Sequence, residues 1–340
     1  MNKTQLNRIA TARERAVLQA FVMVVQSIRD QTVIQEVVFA LEQRNVERAL
    51  DLLQLDRATY DPLIEEIIQS YRQGGLTAAQ QIGQIPMQDG TIAARFDARS
   101  EAAQAWAASL SSRMVVEIIK QQRETLRGVI TQGLAEGRNP RNVALDIVGR
   151  VNDRGVREGG FIGLTSNQAN WVANASLELE NLDENYFTRQ LRDRRFDKTA
   201  RKAIESGEPL KAAQIDNAIT RMQARAEKYR GDVIARTESI NALREGQQQC
   251  IRDAFEQSDI QQKEVTRQWD ASGDSRTRPA HADADGQTVQ GMEQAFIVDG
   301  EALMYPGDPA GSAANTIQCR CTVRTRIDWG GRAKRIEGFG

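Results

Sequence analysis

Apolar positions recur at helical spacing through the first three quarters of the chain. Val17, Phe21, Val24 and Ile28 fall at i, i+4, i+7 and i+11, one stripe of an amphipathic helix. A second helix carries Val33, Val37 and Leu41, and a short third carries Val46, Leu50 and Leu53. Asp61-Pro62 reads as a helix start, with Ile64, Ile67, Ile68 and Tyr71 behind it, and Gly74-Gly75 predicts its stop. Ser100 caps a long helix whose stripe is Trp106, Leu110, Met114 and Ile118. Asn139-Pro140 repeats the start signal, and Thr165 with Gln168 forms a capping box. Four glycines between 155 and 163 predict a loop.

From about residue 255 the period changes from helical to alternating. Lys263 to Trp269 places Val265, Arg267 and Trp269 on one face of a strand. Phe296-Ile297-Val298, then Asp299-Gly300, then Ala302 to Tyr305 predicts a hairpin with an Asp-Gly turn. Cys319 to Asp328 alternates as a last strand, with Cys319, Cys321, Val323, Thr325 and Ile327 on one face. The expected fold class is α+β: a mostly α-helical N-terminal arm followed by a small C-terminal α+β module with a short antiparallel sheet. The expected divisions are an N-terminal helical segment (1–90), a helical arm (91–229), the module (230–330) and a tail (331–340).

Composition narrows the class further. The 340 residues are 40% apolar and 27% charged, which excludes a fibrous or wholly disordered chain. Lys and Arg (45) balance Asp and Glu (46), so a protein that coats nucleic acid by bulk charge is excluded while a local basic patch is not. Gln19 interrupts the apolar stretch 16–25, and a span needs about 20 apolar residues, so neither a targeting signal nor a membrane helix is expected. Three cysteines exclude a disulfide scaffold and favour a reducing compartment. No G-x-x-x-x-G-K-[ST] loop occurs, and one histidine leaves none for a hydrolytic triad beside a metal site.

Three constellations carry candidate chemistry. Cys319-Arg320-Cys321, with His281 and Asp283 upstream, offers the N, S and O donors of a tetrahedral zinc site. The same residues read as two core cysteines beside a hydrogen-bonded histidine, the commoner role of cysteine and the preferred reading from spacing alone. Asp270, Asp274, Asp283 and Asp285 suit a hard cation in a nuclease, or simply mark turns. The run Arg189, Arg192, Arg194, Arg195, Lys198, Arg201 and Lys202, in a segment read as helical, is a candidate for phosphates or for an acidic partner. Finally, Arg236, Glu238 and Asn241 lie within two helical turns, either as an exposed salt-bridging face, the preferred reading, or as a buried polar network joined to the C-terminal module.

Taken together these residues resemble the phage head morphogenesis family, the Mu F-like minor head proteins of tailed bacteriophages. The resemblance rests on Ala235-Arg236-Thr237-Glu238 with Asn241, then Trp269, then Asp274, Arg276, Thr277 and His281. It continues through Asp285-Gly286, Tyr305-Pro306-Gly307-Asp308-Pro309 and Cys319-Arg320-Cys321, with Gln318 where the family often has Asn. It extends less specifically over residues 90–250, and residues 1–90 match no motif. The resemblance implies a non-enzymatic virion protein, made in the host cytoplasm and placed in the head interior or portal vicinity. Implied partners are the portal protein, the major capsid protein, other virion proteins and packaged double-stranded DNA, with roles in head assembly, DNA packaging or ejection and no membrane. It also favours a structural Zn2+ on His281, Cys319 and Cys321 with Asp283. Rival expectations are a metal-dependent nuclease or toxin-like enzyme and a DNA-binding scaffold protein.

Overall fold

A computed structural model describes residues 3–336; residues 1–2 of the N-terminal segment and 337–340 of the expected tail lie outside it. In chain order, α1 (Lys3–Gln31), α2 (Ile34–Glu42), α3 (Val46–Asp51) and α4 (Asp61–Ile82) precede a hairpin of β1 (Gln84–Met87) and β2 (Gly90–Ala93). Next, α5 (Glu101–Leu110) runs through a π-helical turn into α6 (Val116–Ala135), followed by α7 (Pro140–Val148) and the small strands β3 (Arg150–Val151) and β4 (Arg157–Glu158). Helices α8 (Ser166–Glu180), α9 (Asp197–Ser206) and the 45-residue α10 (Ala212–Glu256) lead to the C-terminal region. That region contains β5 (Val265–Asp270), α11 (Pro279–Asp283), β6 (Thr288–Gln290), β7 (Phe296–Val298), β8 (Glu301–Leu303), α12 (Ala313–Thr316), β9 (Thr322–Ile327) and α13 (Trp329–Ile336). The protein is therefore α+β, dominated by helices, with small antiparallel sheets. Among the described residues no helix is long and apolar enough to cross a membrane.

The chain divides into two compact units, one holding the residues up to Gln19, Leu63–Ser109 and Val233 onward, the other Ala20–Pro62 and Leu110–Asp232. In the second unit Asn139 accepts from the Arg141 N–H at the start of α7, and Thr165 and Gln168 make the reciprocal capping box of α8. Its core gathers Leu164, Val172, Leu179, Tyr186 and Met222. Two buried arginines stitch it: Arg29 pairs with Glu227 and donates to the Gly159 carbonyl, and Arg230 donates to the Leu164 carbonyl at 3.1 Å. Burial pushes the Arg230 guanidinium down to about 10.

The first unit builds the three-stranded sheet in the order β6-β5-β9, all antiparallel, with Val265 opposite Ile327 and Asp270 opposite Thr322. Beside it β7 and β8 form the expected hairpin. Asp299 (φ 52°) and Gly300 (φ 76°) both adopt the left-handed conformation that its two-residue turn requires. A core of Trp269, Val289, Phe296, Val298, Leu303, Cys319 and Cys321 fills the module.

Three local expectations are corrected. Gly74-Gly75 do not stop α4, which continues to Ile82. They are buried because α10 passes so close that a Cβ at Gly74 would collide with the Leu243 carbonyl, while one at Gly75 would meet the Phe96 ring. The basic run is helical only from Asp197; residues 189–193 are irregular, and Asp193 starts a 3-10 turn by accepting from the Arg195 N–H. The last strand begins at Thr322, since the carbonyls of Cys319 and Cys321 accept from the Arg244 guanidinium instead of a neighbouring strand.

Candidate metal centre

His281, Cys319 and Cys321 are all buried, and one donor atom from each lies within 4.8 Å of the others. His281 Nδ1 stands 3.4 Å from Cys321 Sγ and 3.6 Å from Cys319 Sγ. Pro279 at the first turn of α11 presets the helix that presents His281. On the far side of the ring, His281 Nε2 is 3.1 Å from Asn315 Oδ1, so the amide accepts the Nε2 proton and leaves the Nδ1 lone pair facing the sulfurs. The ring also packs edge-on against Trp269, with centroids 5.7 Å apart, which fixes its plane.

Pairing with the Cys321 thiol is the chief cause that holds Cys319 below the usual thiol range, and the same pairing together with burial pushes Cys321 up. The Arg244 guanidinium donates to the carbonyls of Pro306 (2.9 Å), Cys319 (3.1 Å) and Cys321, placing a fixed positive charge against the pair. Three soft, convergent, buried donors with one oriented imidazole fit three positions of a metal tetrahedron.

Asp283 is not part of the group. It follows His281 by two residues on α11, where that spacing points to the opposite helix face, and it is exposed while His281 and Ala284 are buried. Asn315 and Arg244, which complete the surroundings, were not singled out from sequence. Arg244 follows Asn241 by three positions, the one local sign that it faces the same network.

The motif residues around this cluster hold α10 to the module. Thr237 is buried and its hydroxyl accepts from the Gln318 N–H at 3.1 Å, fixing Gln318 in a left-handed turn (φ 54°) that delivers Cys319. Asn241 lies against Gly307 (φ 82°), where a Cβ would collide with its Oδ1. Tyr305 donates to Glu245, and Asp308 closes its own turn by accepting from Met304 N (2.7 Å) and Ala310 N (2.9 Å), with Pro309 between. Asp274 accepts from Arg276 N and from both ends of Arg320, and Thr277 accepts from Asp274 N. Gly286 (φ 78°) donates to the Trp269 carbonyl. The helix residues Thr237 and Asn241 thus join a buried polar network, contrary to the exposed face the sequence favoured, while Arg236 pairs with Glu14 at 3.5 Å.

The chain's relatives can now be set beside this geometry. Residues 194–324 match the family model of the Phage Mu protein F like protein. The match runs from Arg194 to Arg324 and takes in the α10 motif, the His281 segment and both cysteines, so the resemblance to Mu F-like phage head morphogenesis proteins holds over these residues. No curated protein and no solved structure matches the chain.

The family-matched segment opens within the basic run, where the seven cations have different fates. Arg189 pairs with Glu178 and Arg192 with Asp197 at 3.0 Å, both partly buried. Arg195 joins Asp193 at 2.8 Å, and the buried Asp193 also receives Arg221 (3.2 Å) and Arg225 (3.1 Å) from α10. Hydrogen bonds from Arg195, followed by the other arginines, hold the Asp193 carboxyl well below its ordinary range. Arg201 lies over the Phe187 ring at 4.2 Å. Arg194, Lys198 and Lys202 are exposed and make no ion pair among the described residues.

Proposed function

We propose that the protein is a minor head protein of a tailed bacteriophage that works by binding rather than by catalysis, in the head interior or at the portal. The family match over residues 194–324 carries this reading. Two features support it. The motif residues Thr237, Tyr305 and Asp308 are spent on turns and on holding α10 to the module. The aspartates suited to a nuclease do not form a metal-ligating group among the described residues: Asp270 pairs with Arg324, Asp274 with Arg320, and Asp283 is exposed.

His281 Nδ1 and the two cysteine sulfurs would hold Zn2+. When bound, the ion supplies a cross-link between α11 and the segment leading into β9 in a module with a small core. The exposed cations Arg194, Arg195, Lys198, Arg201 and Lys202 suit packaged duplex DNA or an acidic portal or capsid surface. A protein inventory of purified particles by mass spectrometry, full against DNA-emptied, tests the reading. Presence in full particles is expected; retention in emptied ones assigns a fixed component, and loss an ejected one. Absence from both overturns the proposal.

A further inference from the structure

Three arginines that the metal centre does not use border one cavity in the first unit. Arg236 comes from α10, Arg276 from the loop after β5 and Arg320 from between the two cysteines. With Glu14 of α1 and Asp274 they border a solvent-open pocket of about 260 Å³, several times the roughly 30 Å³ share of one water.

The charges are unequal, and so is the use of the donors. Asp274 is committed: both its oxygens receive Arg320, and one also takes the Arg276 N–H at 3.1 Å. Glu14 reaches Arg236 only at 3.5 Å, and the Arg276 side chain stands 3.9 Å from Asp274. Both distances are ion pairs too long for strong hydrogen bonds. Three guanidiniums against two carboxylates leave a net charge of +1. Each guanidinium has five N–H groups, so Arg236 and Arg276 keep most of their donors for a ligand. A planar donor fork matches an oxyanion in two-point fashion, and several forks from different directions suit a tetrahedral anion better than a flat carboxylate.

We propose that this cavity is a phosphate-binding site, taking the phosphoryl group of free phosphate or of a DNA 5′ end. Arg236 and Arg276 supply the contacts, while the Asp274–Arg320 pair fixes the wall. The inference is independent of the metal and of the virion reading.

The test is calorimetric titration of the full chain with inorganic phosphate, ionic strength held constant with chloride. Saturable binding is expected, weakened roughly tenfold by Arg276→Gln and likewise by Arg236→Gln, the loss of one charge-assisted hydrogen bond each. Arg276 is 72% exposed, so its replacement leaves the fold intact, as circular dichroism would verify. A second arm compares one oligonucleotide with a 5′-phosphate and with a 5′-hydroxyl. Tighter binding of the phosphorylated strand, lost in Arg276→Gln, assigns the DNA end; equal binding assigns free phosphate. No saturable binding of phosphate, or equal binding by wild type and both variants, overturns the proposal.

Discussion

Arg244 and Arg267 are buried guanidiniums that bond chiefly backbone carbonyls. Arg267 sits between Val265 and Trp269 on the inner face of β5 and donates to the carbonyls of Gly291 (2.6 Å), Met304 (2.7 Å) and Gln294, with the Phe296 ring beneath it. Burial lowers its pKa. Arg244 does the same for Pro306, Cys319 and Cys321. Replacing Arg244 with Met keeps the packing and strands three carbonyls, so urea denaturation should show a loss of about 3 kcal/mol. Asp193 is the converse case, one buried carboxylate under three arginines. Its folded pKa lies below the ordinary value, so its stabilisation is complete above about pH 4 and disappears as the pH falls through the folded pKa. Asp193→Asn should therefore cost about 2 kcal/mol at neutral pH, discounted because the arginines reach solvent, and should flatten the acid limb of a stability–pH profile. Equal acid limbs in wild type and variant would sink this account. The sequence displayed Asp193 only as a minority charge in a basic run, because two of its partners stand 28 and 32 positions away.

At the scale of elements, glycines decide how closely helices approach. Gly74 in α4 meets the Leu243 carbonyl of α10, and Gly246 in α10 meets the Tyr71 carbonyl of α4, so the two helices touch backbone to backbone. Gly246→Ala should push them apart and cost about 1–3 kcal/mol. Gly128, exposed within α6 and facing open space, should respond oppositely: Gly128→Ala gains about 0.5–1 kcal/mol through helix propensity alone. Thermal melts of the two variants check both signs. The Gly-Gly pair was read as a stop because only a second helix, about 170 positions away and absent from any local window, makes a mid-helix glycine favourable. The helix α13, by contrast, is fastened by charge: its fully buried Arg332 reaches the Pro86 carbonyl and Asp259, and Arg335 reaches Glu264.

For the whole molecule, zinc is the sharpest test of the proposed centre. Metal analysis of protein purified without chelator is expected to give about one zinc per chain. A strong chelator should lower the melting temperature, because an ion that binds only the folded state adds its binding free energy to stability. Cys321→Ser should lose the zinc and the chelator response together. A wild type that carries no metal and ignores the chelator would return the cluster to a pair of core thiols beside a hydrogen-bonded histidine.

Local signals in the chain determined most elements and the family resemblance over residues 194–324. A cap, a Pro at a first helical turn or a period-two face spans only a few residues, and its physics is complete within them: the caps of α7 and α8, the Asp-Gly hairpin and the buried face of β5 all appear where the pattern put them. His281 and the C-x-C pair were legible as candidate donors for the same reason, since few residue types ligate a soft cation. Tertiary structure alone decided which groups surround them. It turned Asp283 to solvent by putting it on a helix, set Asn315 behind the imidazole, brought Arg244 across 77 positions to the Cys321 carbonyl, and gathered Arg236, Arg276 and Arg320 around one cavity. Buried carbonyls and carboxylates must find donors wherever the packing leaves them. That requirement belongs to the folded whole, and no stretch of sequence expresses it.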